Sequence, residues 1–104
     1  MNACETLMLE PHNGVLHITL NRPQSRNAMS LQMVSELRTV LADVARDEQV
    51  RALVISGAGG HFCAGGDVKD MSRASSREGL RDLNRVFGAL LQEVQALPQV
   101  VIVV

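Results

Sequence analysis

The residues of this chain that could carry chemistry lie together at positions 62–71, which read Phe-Cys-Ala-Gly-Gly-Asp-Val-Lys-Asp-Met. The run follows a pattern typical of a buried strand at residues 52–56 and a flexible glycine-rich connection at residues 57–60. Paired glycines before an acidic residue, at the start of a short polar helix, can aim backbone N–H groups at one oxygen. Such donors stabilise the oxyanion of an acyl group without a charged side chain. The run therefore predicts an oxyanion site.

Other interpretations of these glycines fit the spacing less well. A dinucleotide fingerprint would need glycine where Phe62 stands, and a P-loop would need a Gly-Lys-Ser/Thr sequence that does not follow. A nucleotide-binding α/β domain is therefore only a third hypothesis. A simple strand-to-helix connection would explain residues 57–60, but it would not explain the small residues Ala64, Gly65 and Gly66. Three successive small residues let a ligand approach the backbone closely.

A second candidate loop, residues 22–28, reads Arg-Pro-Gln-Ser-Arg-Asn-Ala. Two arginines in a loop that Pro23 stiffens can hold phosphate through forked hydrogen bonds, although both could instead be solvated surface residues. This loop follows one predicted strand, and the oxyanion run follows another. In a parallel or mixed α/β sheet both loops would open on the same edge, where ligands bind.

The sequence favours structural roles over chemical ones for the two cysteines and for His17. Cys4 and Cys63 are too few and too isolated for a disulfide scaffold or a zinc site. Cys63 is predicted to be a small, half-buried residue, with a reactive thiol near His61 as the alternative. His17 is predicted to be a half-exposed strand residue, and no metal site is expected.

Composition narrows the class of protein. The chain has 104 residues, which suits one small domain, and 46% of them are apolar, which argues against disorder. Two phenylalanines are the only Phe, Tyr or Trp residues, so the chain has few side chains on which bases of a nucleic acid could stack. The formal net charge is −1, so no basic field attracts nucleic acid or an anionic membrane. No secretory signal or membrane-spanning run is evident in the sequence. We expect a soluble, cytoplasmic protein.

Hydrophobic patterns predict an α/β chain with the order strand, strand, helix, strand, helix, strand. The predicted strands are residues 6–10, 15–20, 52–56 and 100–104, and the predicted helices are residues 31–46, 68–72 and about 75–97. N-caps are expected at Ser30, Asp67 and Ser75. The first helix should bury a stripe formed by Val34, Leu37, Val40, Leu41 and Val44.

The last five residues, Val-Val-Ile-Val-Val, have the pattern of a buried strand with no partner on one side. The strand and helix order also breaks off here. We therefore expect residues 1–104 to be the N-terminal portion of a larger domain that continues past a core strand, or to be covered at this edge by a partner.

Four motifs in order give the chain a family resemblance. They are Leu-Asn-Arg-Pro at 20–23, Arg-Asn-Ala-Met-Ser at 26–30, Val-Arg-Ala-Leu-Val-Ile-Ser-Gly at 50–57, and the run at 62–71. Together they resemble the enoyl-CoA hydratase/isomerase (crotonase) superfamily. The resemblance implies an α/β, crotonase-like (ClpP/crotonase) spiral of ββα units, incomplete at the C-terminus. It also implies homotrimers or dimers of trimers, and an acyl-CoA thioester as substrate, so that coenzyme A is part of the substrate and no separate cofactor is needed.

The resemblance also implies roles for individual residues. The N–H of Gly66 would be one of two oxyanion donors, with Gly65 beside it and Ala64 against the pantetheine and adenine end of CoA. Asp67 and Val68 would support the loop and the pocket wall. Residues of the second loop would wrap the nucleotide part of CoA, and these are Ser25, Arg26 and Ala28.

The reaction itself stays open. The family's second oxyanion donor and its catalytic glutamates have no counterpart in this chain, and Glu36, Asp70 and Glu78 are better explained as solvated helix residues and a cap. Hydration, isomerisation, thioester hydrolysis, dehalogenation and ring closure all remain open, as does activity of the 104 residues alone. Residues 65–71 most resemble hydratases of branched glutaconyl-type CoA esters, which suggests fatty-acid or branched-acid/terpenoid catabolism. The alternative is a non-catalytic CoA-binding or subunit-docking module.

Overall fold

The computed structural model describes residues 4–63, Gly65 and residues 77–104. Over these residues the chain forms β1 (Leu7–His12), β2 (Val15–Leu20), α1 (Leu31–Ala45), β3 (Ala52–Gly57), α2 (Arg77–Gln95) and β4 (Val100–Val103). Short 3-10 turns lie at Pro23–Ser25 and Ala58–Gly60. The predicted element order is confirmed. The predicted helix at residues 68–72 and the caps at Asp67 and Ser75 lie outside the described residues.

The strands form one mixed sheet in the order β1-β2-β3-β4. β1 and β2 are antiparallel and joined by the Asn13-Gly14 turn, whose φ angles of +49° and +83° suit a tight hairpin. β1 runs two residues beyond the predicted 6–10, because Pro11 and His12 still pair with β2; proline is tolerated on such an edge strand. β2, β3 and β4 are mutually parallel. Their carboxyl ends therefore meet at one edge of the sheet.

One face of the sheet packs with α1 and forms the core. The alternation of β2 places Leu16, Ile18 and Leu20 on this face, all fully buried as predicted. The predicted stripe of α1 is buried too, and Met33, which the periodicity missed, joins it. The cap at Ser30 is confirmed, since its hydroxyl accepts a hydrogen bond of 3.1 Å from the N–H of Met33. The core thus joins α1 to β2 and β3.

The opposite side of the sheet is less covered than the sequence predicts. The apolar run of β3 predicts burial on both faces, but Val54 on its second face is only half-buried. β4 lies at the edge of the sheet, with Val100 63% and Val103 59% exposed. Within the described residues, no strand pairs with this edge.

The second helix packs along the first. Leu83 and Leu90 are buried, and the guanidinium of Arg38 on α1 donates hydrogen bonds of 2.8 to 3.1 Å to both carboxylate oxygens of Glu93. A forked ion pair of this kind fixes the register of the two helices more than a single contact would. In the described part of the chain, neither helix is long and apolar enough to span a bilayer.

Glu36 is a partly exposed helix residue, but its carboxylate has partners that were not predicted from the sequence. Its carboxylate accepts hydrogen bonds from the N–H (2.9 Å) and the hydroxyl (2.7 Å) of Thr6, and from the N–H of Glu5 (3.3 Å). It therefore holds the start of the chain against α1. Burial works to raise the pKa of Glu36, but the hydrogen bonds from Thr6, Glu5 and Gln32 outweigh it and the pKa is lowered.

Glu36→Gln should destabilise the protein at neutral pH by about 0.5–1 kcal/mol, a small value because solvent screens the partly exposed carboxylate. A lowered pKa makes the contribution of Glu36 present above the pKa of the unfolded chain, and it is lost as the pH falls through the lower pKa of the folded chain. Urea unfolding of both proteins should therefore show a constant difference near neutral pH, which shrinks as the pH falls through and below about 4.3, the usual pKa of a glutamate.

The exposed Glu48 offers a matched control for this experiment. Glu48→Gln should change the free energy of unfolding by less than about 0.5 kcal/mol at any pH. A Glu36→Gln penalty that stays constant across the pH range would contradict the role given to its charge.

Candidate functional site

Both candidate loops lie at the edge of the sheet where the parallel strands end. The β2 loop (residues 21–30) follows β2, and the β3 loop (residues 58–63 and Gly65) follows β3. Leu20 and Gly57, the last residues of the two strands, are direct partners in the parallel ladder. The loops therefore start side by side, which confirms the prediction that they open on one edge.

The β2 loop has a tight, unusual backbone. Arg26 and Asn27 both have left-handed conformations, with φ angles of +54° and +57°, which are uncommon for residues other than glycine. The carbonyl of Arg22 accepts hydrogen bonds from the N–H groups of Ser25 (2.9 Å) and Asn27 (2.8 Å). These bonds fold the loop back on itself, and Arg26 is exposed.

The Asn27 side chain is fully buried between the two loops. Its Oδ1 accepts a hydrogen bond of 2.7 Å from the N–H of Arg22. Its Nδ2 donates to the carbonyl oxygens of Ala58 (2.8 Å) and His61 (2.6 Å), which lie at the two ends of the glycine turn. Asn27 belongs to the Arg-Asn-Ala-Met-Ser motif at 26–30, but no role was predicted for it from the sequence. The signal available was its residue type, since asparagine tolerates the left-handed region and can bond to nearby backbone.

Two glycines, Gly57 and Gly59, allow the close backbone packing of the β3 loop. A Cβ on Gly59 would lie 2.9 Å from the Cβ of Pro23 in the β2 loop, and the φ of Gly59 is +76°. A Cβ on Gly57 would overlap the carbonyl oxygen of His61 and lie 2.6 Å from that of Phe62. The glycine-rich connection is therefore required by close backbone packing and not only by its freedom to bend.

A further hydrogen bond joins the far ends of the two loops. The N–H of Met29 donates to the carbonyl oxygen of Gly65 over 2.6 Å, and Gly65, at φ +107°, is exposed. The other predicted residues of the oxyanion run, Ala64, Gly66, Asp67 and Val68, lie outside the described residues. Their roles stay predictions.

The two arginines of the β2 loop have different environments. Nη1 of Arg22 donates to the carbonyl oxygen of Ala28 over 2.6 Å, and its Nη2 lies 3.5 Å from the hydroxyl of Ser25. Arg22 is therefore part of the loop's own structure. Arg26 is exposed, while Ser25 and Ala28 are half-buried. Of the two arginines, Arg26 is the one whose guanidinium can reach a ligand's phosphate.

The half-buried position predicted for Cys63 is confirmed. Cys4 and Cys63 are both half-buried and are not joined in a disulfide, and the Cys63 sulfur lies 3.7 Å from the carbonyl oxygen of Gly65. Burial, followed by the nearby negative charge of Glu36, raises the pKa of the Cys4 thiol and makes it a poor nucleophile at neutral pH. His17 is exposed on its strand. Across the residues with described positions, no three histidine, cysteine or acidic side chains cluster as a metal site would require.

Comparison of the amino-acid sequence with known proteins identifies the family of this chain. The family model for enoyl-CoA hydratase/isomerase matches residues 10–104. A curated bovine (Bos taurus) relative, the mitochondrial enoyl-CoA hydratase domain-containing protein 2, is 40% identical over 89 residues, which are 85% of this chain and 30% of the relative. The chain belongs to the enoyl-CoA hydratase/isomerase (crotonase) family.

Solved structures agree on the fold. Pseudomonas aeruginosa AtuE is 66% identical with a TM-score of 0.91, and the match covers 95% of this chain and 39% of that one. An enoyl-CoA hydratase/isomerase from Marinobacter aquaeolei is 50% identical with a TM-score of 0.91, covering 96% of this chain and 40% of that one. The predicted α/β, crotonase-like fold is confirmed. The chain spans about two fifths of the length of these two structures.

Replacing Arg22 and Arg26 separately should distinguish a structural arginine from an exposed one. Arg22→Ala removes a charged donor from the Ala28 carbonyl and should lower the free energy of unfolding by about 1–2 kcal/mol. Arg26→Ala, in the same loop and exposed, should change it by less than about 0.5 kcal/mol. Urea unfolding followed by circular dichroism measures both. Equal losses in the two variants would contradict the separate roles.

Proposed function

We propose that this chain supplies the acyl-CoA-binding loops of an enoyl-CoA hydratase/isomerase-type protein, which binds an acyl-CoA thioester and stabilises the enolate oxyanion formed from it. The observation that carries the proposal is the pair of loops held together by the buried Asn27 at the carboxyl ends of the parallel strands β2 and β3. Ligands of open α/β sheets bind at such edges. Membership of the enoyl-CoA hydratase/isomerase family supports the same chemistry.

The β2 loop would bind the nucleotide end of coenzyme A. Its exposed Arg26 can donate charge-assisted hydrogen bonds to phosphate oxygens. Ser25 and Ala28 are half-buried in the same loop, so that each keeps part of its surface accessible to the ligand. The loop's own hydrogen bonds keep it folded without the ligand, which reduces the entropy lost on binding.

The β3 loop would bind the thioester carbonyl. The proposed donor is the N–H of Gly66, in the same peptide unit as the carbonyl of Gly65. That carbonyl accepts a hydrogen bond from Met29. A donor restrained before the reaction stabilises developing negative charge without reorganisation, and losing one such donor costs about 100- to 1,000-fold in rate.

The proposed reaction is hydration or isomerisation of an enoyl-CoA, with branched glutaconyl-type esters as the favoured substrates. We base the substrate class on the Gly-Gly-Asp-Val-Lys-Asp-Met sequence at 65–71. Catalytic turnover would also need a general acid and a general base. We assign neither role to any of the described residues. We further propose assembly as a homotrimer or a dimer of trimers, which sedimentation would test.

A second candidate function is a non-catalytic module that docks on another subunit. The exposed β4 favours it, because an apolar parallel strand with an open edge can pair with another chain. Hydration of crotonyl-CoA by the purified protein, at a rate that depends on its concentration, would rule this candidate out.

Arg26→Ala should weaken coenzyme A binding by about 3- to 10-fold, the value of one exposed guanidinium–phosphate contact. Isothermal titration at low and moderate salt measures this, and the loss should be smaller at the higher salt because salt screens the contact. Arg81→Ala, an exposed arginine on α2, is the matched control and should bind like the wild type.

Two outcomes would contradict the proposed function. The first is a wild-type protein that binds neither coenzyme A nor its thioesters. The second is an Arg26→Ala variant with the same affinity as the Arg81→Ala control.

A further inference from the structure

We infer that Asn27 is a positioning residue of the acyl-CoA site: its buried amide holds the β3 loop in place against the β2 loop, so that the thioester end and the nucleotide end of the ligand are bound in a fixed relation. The inference rests on the proposed function. It goes beyond it by assigning a role to a side chain that cannot itself touch the ligand from its buried position.

Asn27 forms most of the hydrogen bonds that a side-chain amide can form. A carboxamide has two N–H donors and an acceptor oxygen. Both donors are used on the β3 loop, at the carbonyls of Ala58 and His61, and the oxygen is used on the N–H of Arg22. One fully buried side chain with these three partners therefore ties the backbone of one loop to the backbone of the other.

The two halves of this link can be separated chemically. In Asn27→Asp, the oxygen that faces Arg22 is kept, and so are the shape of the side chain and its tolerance of φ +57°. The donor group is replaced by an oxygen that would face the carbonyls of Ala58 and His61. The variant therefore removes the attachment of the β3 loop while it leaves the β2 loop's own hydrogen bonds in place.

A backbone contact provides the second link between the loops. The bond from the Met29 N–H to the Gly65 carbonyl does not depend on the side chain at position 27. We therefore expect the β3 loop to stay near the β2 loop in the variant but to lose its defined position. Misplacement of a binding group costs affinity for the part of the ligand that it contacts, and leaves the remote part bound.

The test compares two probes, crotonyl-CoA and adenosine 3′,5′-bisphosphate, which is the nucleotide portion alone. Asn27→Asp should bind crotonyl-CoA about tenfold more weakly than the wild type, the size expected for lost hydrogen bonds at one site. It should bind the bisphosphate within about threefold of the wild type. Asn84→Asp, which adds the same charge at an exposed position on α2, is the matched control and should leave both affinities unchanged.

Equal losses for the two probes, or no loss for either, would overturn the role of Asn27. A wild-type protein that binds neither probe would instead contradict the proposed function, so the two failures are distinct. Circular dichroism of each variant establishes that it is folded before binding is measured.

A measurement on the wild type keeps the inference testable if Asn27→Asp does not fold. Saturation with adenosine 3′,5′-bisphosphate should slow amide hydrogen exchange in the β3 loop as well as in the β2 loop, because Asn27 joins them. Protection confined to the β2 loop would show that the loops are not coupled and would overturn the inference.

Discussion

The parallel pairing of β2 with β3 is the interaction on which the rest of this structure depends. Leu16 and Ile18 from β2 and Leu53 from β3 are completely buried in the core shared with α1, and this burial fixes the register that makes Leu20 and Gly57 partners. A shift of one residue would turn these side chains away from the core. The apolar core therefore decides where the two loops begin.

Beyond the strand ends, polar contacts take over from hydrophobic burial. The loops are built mainly from backbone groups, and buried backbone groups without partners are costly. Asn27 meets this constraint by satisfying two carbonyls of one loop and an N–H of the other. Arg22 satisfies a third carbonyl, at Ala28, and so belongs to the scaffold of the loop. The exposed Arg26 is left available for a ligand.

The two ends of the described chain also differ in this way: one end holds other parts of the structure in place, and the other leaves a surface exposed. Glu36 anchors Thr6, and the carbonyl of Thr6 accepts a hydrogen bond of 2.8 Å from the N–H of Asn21, the first residue of the β2 loop. The N-terminal segment therefore links the start of the β2 loop to α1. β4, in contrast, offers exposed apolar side chains and an unpaired edge within the described residues, which is a surface suited to further pairing.

The sequence by itself determined the α/β class, the element order, the cap at Ser30, the buried faces of β2 and α1, and the crotonase resemblance, because these depend on periodicity and on short motifs. It also predicted two loops at one sheet edge. Only the tertiary structure decided which polar side chains hold those loops: Asn27 bonds to carbonyls of the β3 loop 31 and 34 residues away in the chain, and Glu36 bonds to Thr6, 30 residues away. Hydrogen bonds of that kind depend on distances set by the packed sheet, which no local pattern encodes.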